Sequence, residues 1–332
     1  MISCFAVWNN SRDVLRESTS GGAFTALAEP VLKRGGIVVG AAYDKRLNVK
    51  HEIVDNVQGL SRLRGVKYVC GEIGKDVYEG MRKAINSGRQ VMFTGLPCQA
   101  AAVRKMFGND ANLFVCDLVC FGAPPHSLWR KYVDWMETKH DNRLVCINPR
   151  DKAHGWSRKT YYRYEWDDGS VNCRASLYDP YSYAFYSALS FRRCCFSCRF
   201  KGFERVADIT LGDFWGAERL GLSKEVLANG VSGVMVHTGI GMSALETADV
   251  RRMEVGKESL LAENHMIERS AAMPERWTEF NEDVKAMDFG ELVRKYRLQI
   301  TKFQATKWRL RALASRLKGW IVAHAKTARS VK

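Results

Sequence analysis

The chain has 332 residues, 46% of them hydrophobic and 26% charged, with a formal charge of +15. This is ordinary globular usage, which excludes a collagenous, repetitive or wholly disordered chain and suits one large domain or two modest ones. From Glu291 to Lys332 twelve Lys or Arg face one acidic residue, so the tail carries +11 and the body only about +4; the basicity describes the tail, not an active site.

In chain order, MISCFAVWNNSRD has no basic start followed by an apolar core, so a signal peptide is not expected. SGGAFTALAEPVLKRG reads as a glycine-initiated helix and IVVGAAYD as a buried strand, with VKHEIVD as a second strand. IGKDVYEGMRKAINSG is helical, RQVMFTG a strand, LPCQAAAVRKMFG a helix, ANLFVCDLVC a strand and SLWRKYVDWMETKH a helix. That alternation predicts a partly parallel α/β sheet to about residue 145. TYYRYEWDDGSVNCRAS then reads as a hairpin turned at Asp167–Gly169, followed by a cysteine-rich loop and the strand ADITLGDF. VSGVMVHTGIGMSALETA supplies a strand, a glycine turn and a helix, and WTEFNEDVKAMD another helix. No linker stands out. The expected fold is mixed α/β (α+β) in three parts: 1–145, an N-terminal α/β part; 146–290, an interlocked smaller α+β part; and 291–332, a basic helical tail. No apolar run reaches the ~18 residues of a membrane helix, and a cytoplasmic location is expected.

Ten cysteines in a reducing compartment point to metal or redox work rather than disulfides. Cys4, Cys70, Cys146 and Cys173 are isolated and read as buried thiols. Cys195 and Cys198 form a C-x-x-C flanked by Arg192, Arg193, Arg199 and Lys201, a spacing that serves zinc, iron–sulfur clusters and redox disulfides alike. It lies in a loop before a strand, whereas the thioredoxin arrangement opens a helix after one. Cys98, at a strand-to-helix junction, and Cys120, at a strand end, fall where neighbouring parallel strands finish, the edge at which such sheets place their sites. A four-ligand site of Cys98, Cys120, Cys195 and Cys198 therefore stands against the simpler reading of buried thiols, with Cys116 and Cys194 as other ligands. The T-G-L-P-C-Q stretch also invites comparison with DNA cytosine-5 methyltransferases, but the cofactor loop and the Glu-Asn-Val segment of those enzymes are missing.

STSGGAFTALAE, RGVKYV, FTGLPCQ, DLVCFG, CFSCRFKGFERVADITLGDFWG and GVMVHTGIG occur in that order. Together they resemble the coenzyme F-420 hydrogenase/dehydrogenase beta-subunit family over roughly residues 5 to 300. The resemblance implies an iron–sulfur flavoprotein oxidoreductase with FAD, less often FMN, beside a [4Fe–4S] cluster on Cys98, Cys120, Cys195 and Cys198. It would exchange electrons between a ferredoxin or other electron-transfer protein and a small organic acceptor, the deazaflavin F-420 or another. The alternative is a binding protein stabilised by a zinc ion or cluster on four cysteines, without turnover. By this resemblance the sequence starts after where the N-terminal ferredoxin module of many members would end, so that module is not expected, and Val66 and Cys70 depart from the family's usual residues.

Ser20, Gly21, Gly22 and Thr25 open a helix whose amides suit a flavin pyrophosphate or are simply capped. Lys67 in RGVKYV suits phosphate, the flavin ring or solvent. Trp215, near Asp208 and Asp213, suits a flavin wall or the core. In the tail, Trp308, Leu310, Leu313, Leu317, Trp320 and Ile321 form an apolar stripe flanked by cations. That pattern suits a helix packed on the body, a partner, or peripheral contact with an anionic membrane at its inner face; nucleic acid is not expected.

Overall fold

The computed structural model describes residues 2–299. The tail stripe from Trp308 onward therefore lies outside the described residues; the helix Phe289–Tyr296 is the last element before it. The strands are β1 Ser3–Asn9, β2 Ile37–Tyr43, β3 Val49–Val54, β4 Val91–Gly95, β5 Leu113–Leu118, β6 Leu144–Asp151, β7 Tyr161–Trp166, β8 Val171–Ala175, β9 Ile209–Asp213, β10 Ser232–Val236 and β11 Val250–Val255. Eight form one mixed sheet in the order β11-β1-β10-β9-β5-β4-β2-β3, and β6-β7-β8 form a second. In the large sheet β2, β4, β5 and β9 run parallel, while β3, β10, β1 and β11 extend it antiparallel at the two sides.

The parallel centre is buried on both faces, which is why IVVGAAY, VMFTG and LFVCDL read as continuous apolar runs rather than alternating ones. Every residue of β4 is buried. Met92, Phe114 and Cys116 face the helix Ala23–Lys33, and Phe93 and Val115 face the helices Lys75–Asn86 and Pro97–Phe107. The helix Pro97–Phe107 starts on a proline at its first turn, where the missing N–H costs nothing. A second core joins the small sheet to the helix His126–His140. Trp129, Tyr132, Tyr162, Tyr164 and Tyr181 fill it, with Phe280 and Phe289 from the last two helices. Its polar centre is Asp179, which accepts from the hydroxyls of Tyr132 (2.7 Å) and Tyr164 (2.9 Å).

The expected hairpin is β7–β8, with Gly169 at positive φ in its turn. The structure adds β1, β6 and β11, which the sequence pattern left without assignment. No helix among the described residues is long and apolar enough to cross a membrane.

Candidate functional site

The C-terminal ends of the four parallel strands open into one cavity of about 360 Å³. Gly40 and Ala41 of β2, Thr94 and Gly95 of β4, Leu118 of β5 and Leu211–Asp213 of β9 contribute to its floor. This is where an open α/β sheet leaves room for a ligand, because the helices that follow the strands diverge there. One wall is the segment 18–24 and another the segment 64–69.

The first wall begins the helix Ala23–Lys33. Gly22 caps it at φ 77 with no side-chain cap bond. Ser20 and Gly22 line the cavity. Gly21 stands behind it: a Cβ there would sit 2.3 Å from the Val7 carbonyl oxygen and 2.6 Å from the Ser232 nitrogen, so this glycine serves close packing on β1 and β10. Thr25 is also behind the wall, fully buried, with its hydroxyl accepting from Arg64 Nε at 3.1 Å. Lys67 lines the cavity, yet its Nζ donates to the carbonyls of Arg62 (3.3 Å), Leu63 (3.1 Å) and Arg64 (2.8 Å). It closes the end of the short helix Leu60–Leu63, and burial pulls its ammonium down to about 7 against the attraction of Glu52.

A charged corner comes from the small sheet. Arg150, at the end of β6, donates to Asp213 through two bonds of 3.0 and 3.2 Å. Trp156 Nε1 donates to the same carboxylate at 3.1 Å, and its ring stacks on Trp215 at 4.8 Å. Arg150 also lies 5.2 Å over the Trp215 ring. Arg150, Asp213 and Trp215 all line the cavity, so Trp215 belongs to the site wall. Arg150 carried no signal in the sequence, because only pairing with a strand some sixty residues later places it there. His51 and Thr94 also line the cavity; His51 Nε2 and Thr94 Oγ1 are buried without partners.

Cys98 is the second residue of the helix Pro97–Phe107, Cys120 lies just past β5, and Cys195 ends the turn Arg193–Cys195 with Cys198 three residues on. The Cys120 thiol is pushed up to about 12, first by burial and then by Cys195, Cys98 and Cys198, while Lys201 opposes. These four thiols are therefore electrostatic neighbours. Cys70 and Cys194 adjoin them: Cys70 is raised by burial and then by Cys98, Cys195 and Cys194, with Arg192 opposing. The other four cysteines lie apart, Cys4 on β1, Cys116 inside β5, Cys146 on β6 and Cys173 on β8. β5 ends at Leu118, which breaks the face relation between Cys116 and Cys120. Among the described residues no three His, Cys, Asp or Glu side chains converge tightly enough to hold a metal ion. The donor chemistry still fits a thiolate-ligated centre, since soft sulfur donors without carboxylates select zinc or iron–sulfur.

The cations around these thiols are less free than the sequence suggests. Lys201 Nζ donates to the carbonyls of Cys120 and Met266, pinning the Cys120 loop. Arg205 is buried against Asp117 at 3.3 Å. Arg193 and Arg199 remain exposed.

A mixed α/β sheet with a ligand-sized cavity at its parallel strand ends, with Cys120 in its wall, defines a cofactor-type site. Residues 88–260, just over half of the sequence, match the family model for the C-terminal part of the coenzyme F420 hydrogenase/dehydrogenase beta subunit, and the chain belongs to that family. The family is one of oxidoreductase subunits, and the matched region contains Cys98, Cys120, Cys195 and Cys198. The fold is also shared with a chain from the "Xenon derivatization of the F420-reducing [NiFe] hydrogenase complex from Methanosarcina barkeri". That chain is 17% identical with a TM-score of 0.50, the alignment covering 88% of this chain and 91% of the other. Comparison with curated proteins gives no match.

Proposed function

We propose that the chain is a flavin- and [4Fe–4S]-dependent oxidoreductase subunit that moves electrons between a ferredoxin-like donor and a small organic acceptor. One observation carries this reading: the thiol group and the cavity share a wall. Cys120 lines the cavity and neighbours Cys98, Cys195 and Cys198. Val69 and Gly71 line the cavity while Cys70 between them neighbours the thiols. A redox group on one side would lie beside a redox group on the other.

In this reading Cys98, Cys120, Cys195 and Cys198 hold the cluster. The amides at Gly22 and after it take the phosphates of FAD, which has the longer phosphate chain than FMN, and Trp215 offers the ring a wall. Bound flavin supplies exchange between single-electron and hydride transfer. The protein's own residues do the rest. Gly40, Gly95 and Gly212 contribute to the floor, where their missing side chains leave room for Leu63, Phe93 and Val119 to pack. Phe121, Phe185 and Tyr186 shield the cavity on the side of the cysteine loop. Lys201 and Gln99 fix the segments that carry Cys120 and Cys98: Gln99 accepts from Leu96 N–H at 2.9 Å and donates to the Gly71 carbonyl at 2.7 Å. Exposed Arg193 and Arg199 suit an acidic electron-transfer partner.

Anaerobic purification with a visible spectrum, iron analysis and flavin extraction tests the reading. Broad absorption near ~400 nm with about four irons and one extractable flavin per chain is expected. A colourless protein with one zinc and no flavin would instead establish the non-catalytic alternative.

A further inference from the structure

Lys152 follows β6 and reaches away from the small sheet to the wall of the cavity. Its Nζ donates to the carbonyls of Leu15 (2.7 Å), Ser20 (2.6 Å) and Asn229 (2.6 Å). Three acceptors engage all three N–H bonds of an ammonium. They belong to three separate segments: the helix Arg12–Glu17, the loop before the helix Ala23–Lys33, and the end of the helix Lys224–Asn229. Among the described residues no carboxylate forms an ion pair with Lys152, because the nearby Asp213 is taken by Arg150. Its charge is thus not cancelled by contact, and it sits directly behind Ser20.

The front of that loop is the cavity wall. Ser20, Gly22, Ala23 and Phe24 line it, and the eleven-residue helix starting at Ala23 has no side-chain cap on its first amides. The N-terminus of such a helix carries about half a positive charge. In the same cavity, on β3 and β4 rather than at this loop, His51 Nε2 and Thr94 Oγ1 are buried without hydrogen-bond partners, in residues only 4% and 8% exposed. The loop is held from other sides too, by Ser20 Oγ on the Val231 carbonyl (2.7 Å) and by Gly21 N–H on Ser232 Oγ (3.0 Å). Those bonds are neutral. Lys152 alone can add a charge to them, in full only below the value of about 7 to which burial pulls its ammonium.

We infer that Lys152 is a positioning residue for a phosphate or pyrophosphate group bound at the segment 18–24, fixing the loop through the Ser20 carbonyl and adding its positive charge to that of the helix end. The inference rests on the cofactor-cavity reading above but does not require the anion to belong to a flavin.

The test separates charge from shape. Lys152→Met keeps an unbranched stem one atom shorter and removes the charge and donors. Dissociation constants for FAD, FMN and riboflavin are measured on the full-length protein after flavin removal. Thermal shifts with inorganic pyrophosphate are measured alongside, and iron content serves as the control. FAD and FMN should weaken about tenfold or more while riboflavin, which has no phosphate, changes little; tenfold corresponds to about 1.4 kcal/mol. The pyrophosphate-induced shift should disappear. Equal weakening of all three flavins would make Lys152 a structural staple and overturn the inference, as would unchanged FAD binding. Should the methionine variant fail to fold, Lys152→Gln keeps two donors without the charge and is held to the same ratio of FAD to riboflavin. If the wild type binds no flavin, the flavin reading falls, while the pyrophosphate shift in wild type against variant still decides this one.

Discussion

Replacing Asp213 with Asn keeps the shape of the side chain and removes its charge. In the native structure Arg150 is 7% exposed and gives two bonds to Asp213, at 3.0 and 3.2 Å. The substitution leaves the guanidinium buried with one amide oxygen in place of a carboxylate. Breaking a buried pair by removing one partner costs about 3–5 kcal/mol, chiefly for the charge left behind. The retained oxygen can still accept one bond, which puts Asp213→Asn at about 3 kcal/mol. Arg150→Met should cost less, because Asp213 is more accessible than Arg150 (side chains 16% and 6% exposed) and keeps the Trp156 N–H. The double variant should cost less than the sum of the two. Equilibrium urea unfolding of the apo-protein, with both singles and the double, measures these values and their coupling. Additive effects, or a loss below about 1 kcal/mol for Asp213→Asn, would refute the view that Arg150 is held as a buried charge by this one carboxylate.

Serine in place of Cys98, Cys120, Cys195 or Cys198 should strip iron from the anaerobic protein, whereas Cys4, Cys146 and Cys173 should tolerate it; full iron in Cys195→Ser would shift the ligand to Cys194 or Cys70. Gly22→Ala should destabilise by about 1 kcal/mol or more, read by denaturation, because φ is 77 and the new Cβ would sit 3.0 Å from Asn9 Cβ. Flavin loss in that variant is therefore informative only after correction for stability. Lys152 makes a pH prediction. Burial, reinforced by Arg150 and opposed by Asp213, lowers its ammonium from 10.5 to about 7; Arg12, Asp13, Arg16, Glu17 and Glu225 on the adjoining helices are exposed. Between those values the unfolded chain holds a proton that the folded chain has released, so this residue's contribution to apo stability rises with pH from about 7 to 10.5. Affinity for pyrophosphate should move the other way, falling as pH rises through about 7, and both trends should flatten in Lys152→Met.

The parallel core was readable because buried strands and amphipathic helices alternate there without interruption, and Gly35 and Gly88 mark the ends of two of its helices. β11 was not, since VRRMEV is an edge strand with most of its residues exposed and almost no apolar pattern. β1 is the reverse case. SCFAVWN is mostly buried, but its neighbours are strands more than two hundred residues away, and nothing local announces them. The cysteine pattern drew attention to the thiols through type and spacing alone. The lysines misled in a physical way: Lys67 and Lys201 look like surface or ligand cations, yet each spends its N–H bonds on carbonyls that only the folded chain brings together. Lys152 escaped notice for the same reason, since a sequence shows which residues can donate but not where carbonyls lie unpaired.

The position of β1 sets the order in which the molecule can be assembled. Its partners are β10 and β11, at residues 232–236 and 250–255. During synthesis the first strand therefore leaves the ribosome with no edge to join, and it waits until more than two hundred further residues have followed. Closing so long a loop carries an entropic cost that grows only slowly with length, but it must be met before any of the pairing is gained. Meanwhile SCFAVWN is an exposed apolar segment with high strand propensity, the kind that nascent-chain chaperones hold. The loop that follows it, Ser18–Gly22, rests on β1 and β10 through Asn9, Gly21 and Ser232. The wall of the cavity thus cannot form before the last strands of the sheet are in place, and anything the cavity holds can be bound only late in the life of the chain.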